Sequence, residues 1–362
     1  MFNPLNINTK FFTCSLPLNF NSYNYCGFGC RYCFAKNKVV GKKTENTPNV
    51  QWMINKFIRI YDDKDVIQHN FLEKLLEQRV TLHGGTTSDC FQYLEEKEKN
   101  TKELVEICNE YDQNIIFTTK GCSYYDVPVD SEHHTFQFSV TNHYNDKFIE
   151  PNVPPFDDRV EFYKKLIDEG FKVGLRLQPF IPNVTDLVKI LDYFREVSHI
   201  TISGIKFMPQ QIDNEFIEYI KLDRKDFINR GLYSVKDEIR FRIYQPLIEY
   251  IESLGYSWNV SDNDMRFLGT DNCCCGDKLC DNPTEFDTTH LIKKYGLNYS
   301  LENGLEEIGV YYDCDCKRQF TSNRMGDCRT VSDFYKSRFD NSQNPLSPKA
   351  QYKKKISLDD FL

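Results

Sequence analysis

The stretch YNYCGFGCRYCFAKN, residues 23–37, places Cys26, Cys30 and Cys33 within one short segment rich in aromatic residues and glycine. The spacing Cys-x3-Cys-x2-Cys brings three thiols to one side of a tight turn, which the two glycines permit. Three such ligands can hold a zinc ion with one open position, or an iron–sulfur cluster with one iron lacking a protein ligand. A structural zinc usually has a fourth Cys or His nearby, and residues 34–63 contain neither, which favours the cluster.

The composition of the 362-residue chain is that of a globular protein, with 40% hydrophobic and 27% charged residues. There is no run of about 18 apolar residues and no basic segment followed by an apolar one, so we expect no membrane span, no secretory signal and a cytoplasmic location. The 14 cysteines are therefore expected to be reduced. A net charge of −8 argues against a general polyanion binder.

Short β-type runs alternate with helical patterns through most of the chain. The predicted strands cover residues 79–84, 114–120, 135–141, 171–180 and 199–208, and the predicted helices lie near 94–111, 157–168, 185–197 and 239–255. Repeated strand–helix–strand units indicate an α/β fold with a parallel sheet.

The character of the sequence changes after about residue 265. Residues 266–335 are rich in turns and cysteines, and residues 336–362 are predicted to form a flexible basic tail ending in an apolar and acidic peptide. We therefore predict three regions: a catalytic domain over residues 1–265, the cysteine-rich extension and the tail.

The first cysteine triplet resembles the signature of the radical S-adenosylmethionine (SAM) superfamily. The longer run NSYNYCGFGCRYCFA is similar to the spore photoproduct lyase-like, DNA-repair-photolyase-like branch of that superfamily. Five further elements occur in the order of that branch: GGTTSD (84–89), FTTKG (117–121), SVT (139–141), IEPNVPPFDDR (149–159) and LQPFIPNVTD (177–186). The resemblance covers residues 12–210.

The resemblance implies a partial (β/α)6 TIM-type barrel and a [4Fe-4S] cluster held by the three cysteines. The cluster would cleave SAM reductively to a 5′-deoxyadenosyl radical, with electrons from a donor such as flavodoxin or ferredoxin. The residues that match SAM-binding positions of the branch are Gly84, Gly85, Lys120, Ser139 and Gln178. The glycines would let backbone approach SAM, and the lysine would contact its carboxylate.

Two positions depart from the lyase pattern. Where the lyase is expected to carry a hydrogen-donor cysteine before Thr-Ser-Asp and a tyrosine after the third cluster cysteine, this chain has Thr86 and Phe34. Neither side chain carries the thiol or phenol of that relay. The substrate and the hydrogen donor are therefore left open. Of two roles for Cys90, a displaced hydrogen donor and a packed structural thiol, we favour the second.

A second group of cysteines in the extension predicts another metal site, either an iron–sulfur cluster or a structural zinc. Its candidate ligands are Cys275, Cys280, Cys314, Cys316 and Cys328, and of the three consecutive cysteines 273–275 only one or two are expected to face the metal. The terminal peptide 351–362, with Ile356, Leu358, Phe361 and Leu362, resembles peptides that dock on sliding clamps.

Three functions are compatible with these features. The leading hypothesis is a radical SAM enzyme that repairs or modifies nucleic acid. A second is a peptide- or protein-modifying radical SAM enzyme, which an auxiliary cluster would support. The third is a zinc-stabilised binding module without catalysis.

Overall fold

The structure is a computed structural model that describes residues 1–8, 11, 13–33, 35, 46–63, 70–208, 211, 213–229, 232–262, 265–296, 299–316 and 328–340. Its main sheet contains eight strands among these residues. They are β1 (Leu5–Ile7), β2 (Leu18–Phe20), β3 (Leu82–Gly84), β4 (Ile115–Thr119), β5 (His134–Ser139), β6 (Val173–Phe180), β7 (His199–Gly204) and, after a small insertion, β11 (Ser257–Val260).

The strands follow one another across the sheet in the order β1-β2-β3-β4-β5-β6-β7-β11. Only β1 runs antiparallel to its neighbour, and β2 to β7 and β11 are parallel. The predicted α/β architecture with a partial TIM-type barrel is therefore confirmed. The sheet contains one parallel strand more than the six predicted, because the helix before β11 returns the chain to the edge of the sheet.

The helices of the barrel lie between these strands. They are α1 (Val50–Phe57), α2 (Phe71–Glu77), α3 (Glu95–Glu98), α4 (Asn100–Glu110), α5 (Phe156–Asp168), α6 (Leu187–Tyr193), α7 (Asn214–Ile220) and α8 (Asp237–Ser253). The helix predicted over 94–111 is interrupted at Lys99, whose φ of 58° is left-handed. Helix α5 agrees with its prediction, since acidic residues open it and Val160, Tyr163 and Leu166 are buried.

Alternation along the strands separates two layers of side chains. Phe117, Phe136 and Phe138 face the helices and pack with other aromatic rings such as Phe162 of α5. The intervening positions fill the interior of the barrel with hydrogen-bonded polar groups. Thr118 Oγ1 and Arg176 Nη1 both donate to Gln137 Oε1, at 3.3 and 2.9 Å. The interior is thus a packed core and not a pore.

A small antiparallel sheet follows β7, with β8 (Lys206–Phe207), β9 (Phe227–Asn229) and β10 (Tyr233–Val235) in the order β8-β10-β9. Its apolar residues and those of α7 join one buried cluster with Phe28 and Tyr32, which lie in the first cysteine segment. The insertion between β7 and α8 therefore covers that segment.

The cysteine-rich extension contains more regular structure than expected. Residues 271–284 form a turn-rich loop, but α9 (Thr288–Tyr295), α10 (Leu301–Ile308) and α11 (Val331–Asp340) follow, and their apolar faces belong to the main core. Side-chain caps at Asp287 and Ser300 begin α9 and α10. The predicted flexible tail is wrong for residues 336–340, which are helical, and residues 341–362 lie outside the described part. Of the helices described, none is long and apolar enough to cross a membrane.

Candidate functional site

The first cysteine loop, residues 21–33, leaves the carboxyl end of β2 and is held by the segment that follows β3. Gly27 N–H donates to Gln92 Oε1 at 2.7 Å, and Gln92 Nε2 donates to Tyr25 O at 2.8 Å. Ser88 Oγ donates to Tyr23 O at 2.6 Å. The segment after β3, from Ser88 of the GGTTSD element to Gln92, therefore fixes the shape of the loop.

Two other segments hold the opposite side of the first cysteine loop. After β5, Asn152 Nδ2 donates to Gly27 O at 3.0 Å, and Ile149 O accepts from the N–H of Arg31 at 2.8 Å. From the insertion, Gln211 Nε2 donates to Cys33 O at 2.8 Å. Three chain segments distant in sequence thus converge on one short loop.

The three thiols of this loop share one apolar environment. Cys30 is buried, and the half-buried Cys26 and Cys33 pack against the same cluster. Burial, together with the nearby Asp89 carboxylate, raises the pKa of Cys26 to about 12. Burial and the Glu150 carboxylate likewise raise the pKa of Cys30. Without a compensating cation the Cys26 and Cys30 thiols stay protonated, and a bound metal would supply that charge.

The number of these thiols bears on the metal they fit. The loop offers three thiols and no fourth cysteine or histidine. Three thiols match the number of protein ligands that a four-iron cluster with one open iron takes. The donor set therefore fits such a cluster. No group of three or more Cys, His, Asp or Glu side chains in the described residues is already arranged to hold a metal ion, so binding requires side chains to turn about χ1.

Lys120, directly after β4, is the buried cation of the site. Its Nζ lies 2.8 Å from Glu150 Oε1 and donates to Ser139 O and Thr141 Oγ1, both at 3.1 Å. Burial opposes ionisation of Glu150, but the nearby Lys120 and Arg159 cations outweigh it and lower the pKa of that carboxyl group. All three Nζ protons have acceptors, so a new anionic partner would have to share the lysine with Glu150.

Ser139 and Gln178 lie at the same edge of the sheet. Ser139 Oγ donates to Gln178 O at 3.0 Å, while Ser139 O also accepts from Arg159 Nη2 at 2.5 Å. The Gln178 side chain accepts from Arg176 Nε. The predicted SAM-binding residues on β5 and β6 are thus neighbours, and their polar atoms are engaged with one another and with two buried arginines.

The fold alone accounts for the two glycines at the end of β3. Gly85 has φ +83°, and a Cβ there would lie 2.0 Å from Thr118 O. A Cβ on Gly84 would lie 2.9 Å from the Phe117 ring. Both positions exclude side chains because of the adjacent strand β4, whatever they bind.

The chain was compared with known proteins and solved structures. Neither a known family model nor a curated protein matches it. A cysteine-to-serine mutant of spore photoproduct lyase is similar over 68% of this chain and 76% of its own, with a TM-score of 0.50 and 18% identity. The chain has the fold of spore photoproduct lyase.

Two further structures have lower scores. A double mutant of the lyase, with bound AdoMet and dinucleoside spore photoproduct, has a TM-score of 0.49 and 18% identity over 68% of this chain and 76% of its own. Streptococcus suis SuiB bound to S-adenosylmethionine has a TM-score of 0.41 and 13% identity over 68% of this chain and 50% of its own.

The structure divides the cysteines of the predicted second site into two groups. Cys275 and Cys280 lie in a buried cluster with Cys273 and Cys274, whereas Cys314 and Cys316 belong to the main core. Cys328 packs on the main core and interacts electrostatically with Cys316. All three consecutive cysteines, 273–275, are buried in the cluster that contains Cys280.

Two acidic residues of the site were not singled out from the sequence. Asp89 accepts the Lys120 N–H at 2.7 Å and Thr119 Oγ1 at 2.8 Å, and burial raises its pKa. Glu150 pairs with Lys120 and accepts from the Tyr32 hydroxyl. Both residues stand in quoted elements, GGTTSD and IEPNVPPFDDR, in loops that follow the carboxyl ends of strands.

Of the two positions that depart from the lyase pattern, the structure describes Thr86 but not Phe34. Phe34 and the peptide 351–362 lie outside the described residues. Thr86 is half-buried, and its Oγ1 donates to Asn21 Oδ1 at 3.3 Å. Cys90 is 1% exposed with a pKa raised by burial to about 12, as expected of a packed structural thiol.

Proposed function

We propose that this chain is a radical SAM enzyme whose [4Fe-4S] cluster is held by Cys26, Cys30 and Cys33. The observation that carries the proposal is the convergence of three segments on the first cysteine loop, at the carboxyl ends of the strands. Active sites of parallel barrels lie at that end. When bound, the cluster would supply the electron that cleaves SAM to a 5′-deoxyadenosyl radical.

The residues around the loop would orient SAM and keep water from the reacting atoms. Lys120 would hold the SAM carboxylate by sharing its ammonium between that group and Glu150. Gly84, Gly85, Ser139 and Gln178 would line the same edge of the sheet. The insertion after β7 would close the site from above, since its apolar residues pack with Phe28 and Tyr32.

The proposed substrate is a nucleic acid, either a DNA lesion or a base to be modified. Support comes from the sequence elements of the photolyase-like branch and from the fold shared with spore photoproduct lyase. Because Thr86 and Phe34 replace the donor residues of that branch, we propose a reaction without the cysteine–tyrosine relay. The same proposal includes an electron donor such as flavodoxin or ferredoxin and a cytoplasmic location. It also includes docking of residues 351–362 on a sliding clamp.

The test begins with anaerobic reconstitution of the full chain with iron and sulfide. We expect a brown protein that forms 5′-deoxyadenosine from SAM in the presence of dithionite. Zinc binding without a visible chromophore would contradict the radical function and favour a binding module.

The substrate is tested by incubating the reconstituted enzyme with SAM, reductant and either ultraviolet-damaged or undamaged DNA. Mass spectrometry of the nucleosides should reveal a product from only one of these two DNA samples. Binding of the same DNA should weaken steeply as salt increases. Product formed on a peptide mixture, with none on either DNA, would contradict the nucleic-acid proposal while leaving the cofactor chemistry intact.

A further inference from the structure

A second group of thiols lies at the opposite end of the barrel from the first cysteine loop. The second cysteine loop, residues 271–284, meets the amino ends of the strands. Thr135, near the start of β5, donates to Leu279 O at 2.9 Å, and Thr201 of β7 donates to Cys274 O at 2.7 Å. A Cβ on Gly276, where φ is +100°, would lie 2.6 Å from the His199 ring. The loop is therefore inserted tightly into the end of the barrel.

This insertion brings four cysteines, Cys273, Cys274, Cys275 and Cys280, into one buried cluster. Within it the thiols of Cys273 and Cys280 are in contact, and Cys275 bonds to the Cys273 sulfur through its backbone N–H. All four residues are buried, with exposed fractions of 1 to 5%. Four cysteines buried together are an unusual use of cysteine as a small hydrophobe, since a thiol is only a weak donor.

The distance between two of these thiols suits a single tetrahedral ion. Cys273 Sγ and Cys280 Sγ are 3.5 Å apart. Two ligands of one zinc ion are about 3.8 Å apart, given tetrahedral Zn–S bonds of about 2.3 Å. The ligands of an iron–sulfur cluster would be further apart, because they bind different irons. The four sulfurs are not already arranged around an ion, so binding requires the cysteine side chains to rotate.

The surroundings also suit a negatively charged thiolate centre. Arg176 Nη1 lies 3.6 Å from Cys275 Sγ, and the buried Arg266 interacts electrostatically with Cys273 and Cys274. The Cys275 N–H donates to Cys273 Sγ at 3.4 Å. Four thiolates leave a zinc ion with net negative charge, and buried charge is tolerated when opposite charges and hydrogen bonds accompany it.

We infer that Cys273, Cys274, Cys275 and Cys280 form a structural zinc site that fastens the second cysteine loop into the amino end of the barrel. The site differs from the one expected from the sequence, because Cys314, Cys316 and Cys328 are not part of it. It does not depend on the proposed radical chemistry.

The test is the metal content of the full chain, purified with zinc supplied and measured by mass spectrometry of the metals. We expect about one zinc per chain, and less than about one tenth of that in Cys275→Ser and in Cys280→Ser. Cys108→Ser is the matched control, since Cys108 is fully buried in the main core, outside both thiol groups, and should retain the zinc. Cys30→Ser should also retain zinc.

A measurement on the wild-type chain keeps the inference testable if these variants do not fold. Cobalt should replace zinc and produce the intense thiolate-to-cobalt absorption of a tetrahedral site. The inference would be overturned by equal zinc content in all variants, or by cobalt bound without that absorption. Iron retained in a chain lacking Cys26, Cys30 and Cys33 would overturn the choice of zinc.

Discussion

The two cysteine loops use the same residue type at opposite ends of one barrel. In the first, three thiols are spaced along a loop that polar contacts hold from outside, and a buried Lys120–Glu150 pair lies beside them. In the second, four cysteines are buried together at the strand ends, with the Cys273 and Cys280 thiols in contact. Three thiols spaced along a loop suit a cluster with a reactive face, whereas four thiols buried together suit a single structural ion. The difference predicts that each loop can be disabled without the other.

The largest effect is expected from Cys30→Ala. It removes the most buried ligand of the first loop, so iron content and 5′-deoxyadenosine formation should fall by at least about 100-fold, since a metal site lacking a ligand loses most of its affinity. Both are measured after anaerobic reconstitution. Cys108→Ala should keep both properties. Full SAM cleavage by folded Cys30→Ala would contradict the assignment of the ligands.

Lys120→Met should be the most destabilising change to the charged groups beside the first loop. It leaves the Glu150 carboxylate buried without its main partner, at a cost of about 4 kcal/mol in unfolding free energy. Urea unfolding measures this cost. The matched control is Lys172→Met, whose exposed pair with Asp281 at 3.7 Å should contribute less than about 1 kcal/mol. Equal losses of unfolding free energy in the two variants would mean that burial does not make the Lys120–Glu150 pair more important than an exposed pair.

Gly85→Ala should destabilise the strand end that supports the first loop. The added Cβ would meet the Thr118 carbonyl in a left-handed backbone, and we expect a loss of about 3 kcal/mol. Gly255→Ala has a similar φ of +75° with nothing within 4 Å, and should cost only about 1 kcal/mol. The urea midpoints of the two variants measure this difference in stability. The zinc content of the second cysteine loop should stay unchanged in both variants. A smaller loss for Gly85→Ala than for Gly255→Ala would argue against the close approach of Gly85 to β4.

Glu215→Gln should have the smallest effect. Its carboxylate lies 3.0 Å from Arg31 Nη2 but is 71% exposed, and Asp213 still pairs with the same arginine. We expect a change below about 0.5 kcal/mol in stability and unchanged SAM cleavage. A large loss of cleavage would mean that the insertion holds the first cysteine loop through this pair rather than through its apolar packing.

Much of the first site could be predicted from the sequence, because its information is local. Three cysteines within eight residues are neighbours in any fold of that loop. The β-type runs predicted the strands, and the resemblance to the photolyase-like branch implied that Lys120, Ser139 and Gln178 belong to one site.

The partners of these residues could not be predicted in the same way. Asp89 and Glu150 acquire their roles only because loops after different strands meet beside Lys120. Helices α9 to α11 were missed because their periodicity is short and interrupted by turns, while their caps and their burial in the main core stabilise them.

The sequence alone determined the cysteine triplet, the alternating α/β pattern and the order of the elements, since spacing and periodicity are properties of neighbouring residues. Only the tertiary structure decided which of the later cysteines belong together. Cys275 and Cys280 were grouped with Cys314, Cys316 and Cys328 because all lie in one polar, turn-rich stretch. The fold separates them, because residues 271–284 enter the end of the barrel while Cys314 and Cys316 pack on its outer core. Contacts between distant segments depend on how the strands and loops pack, which no local pattern encodes.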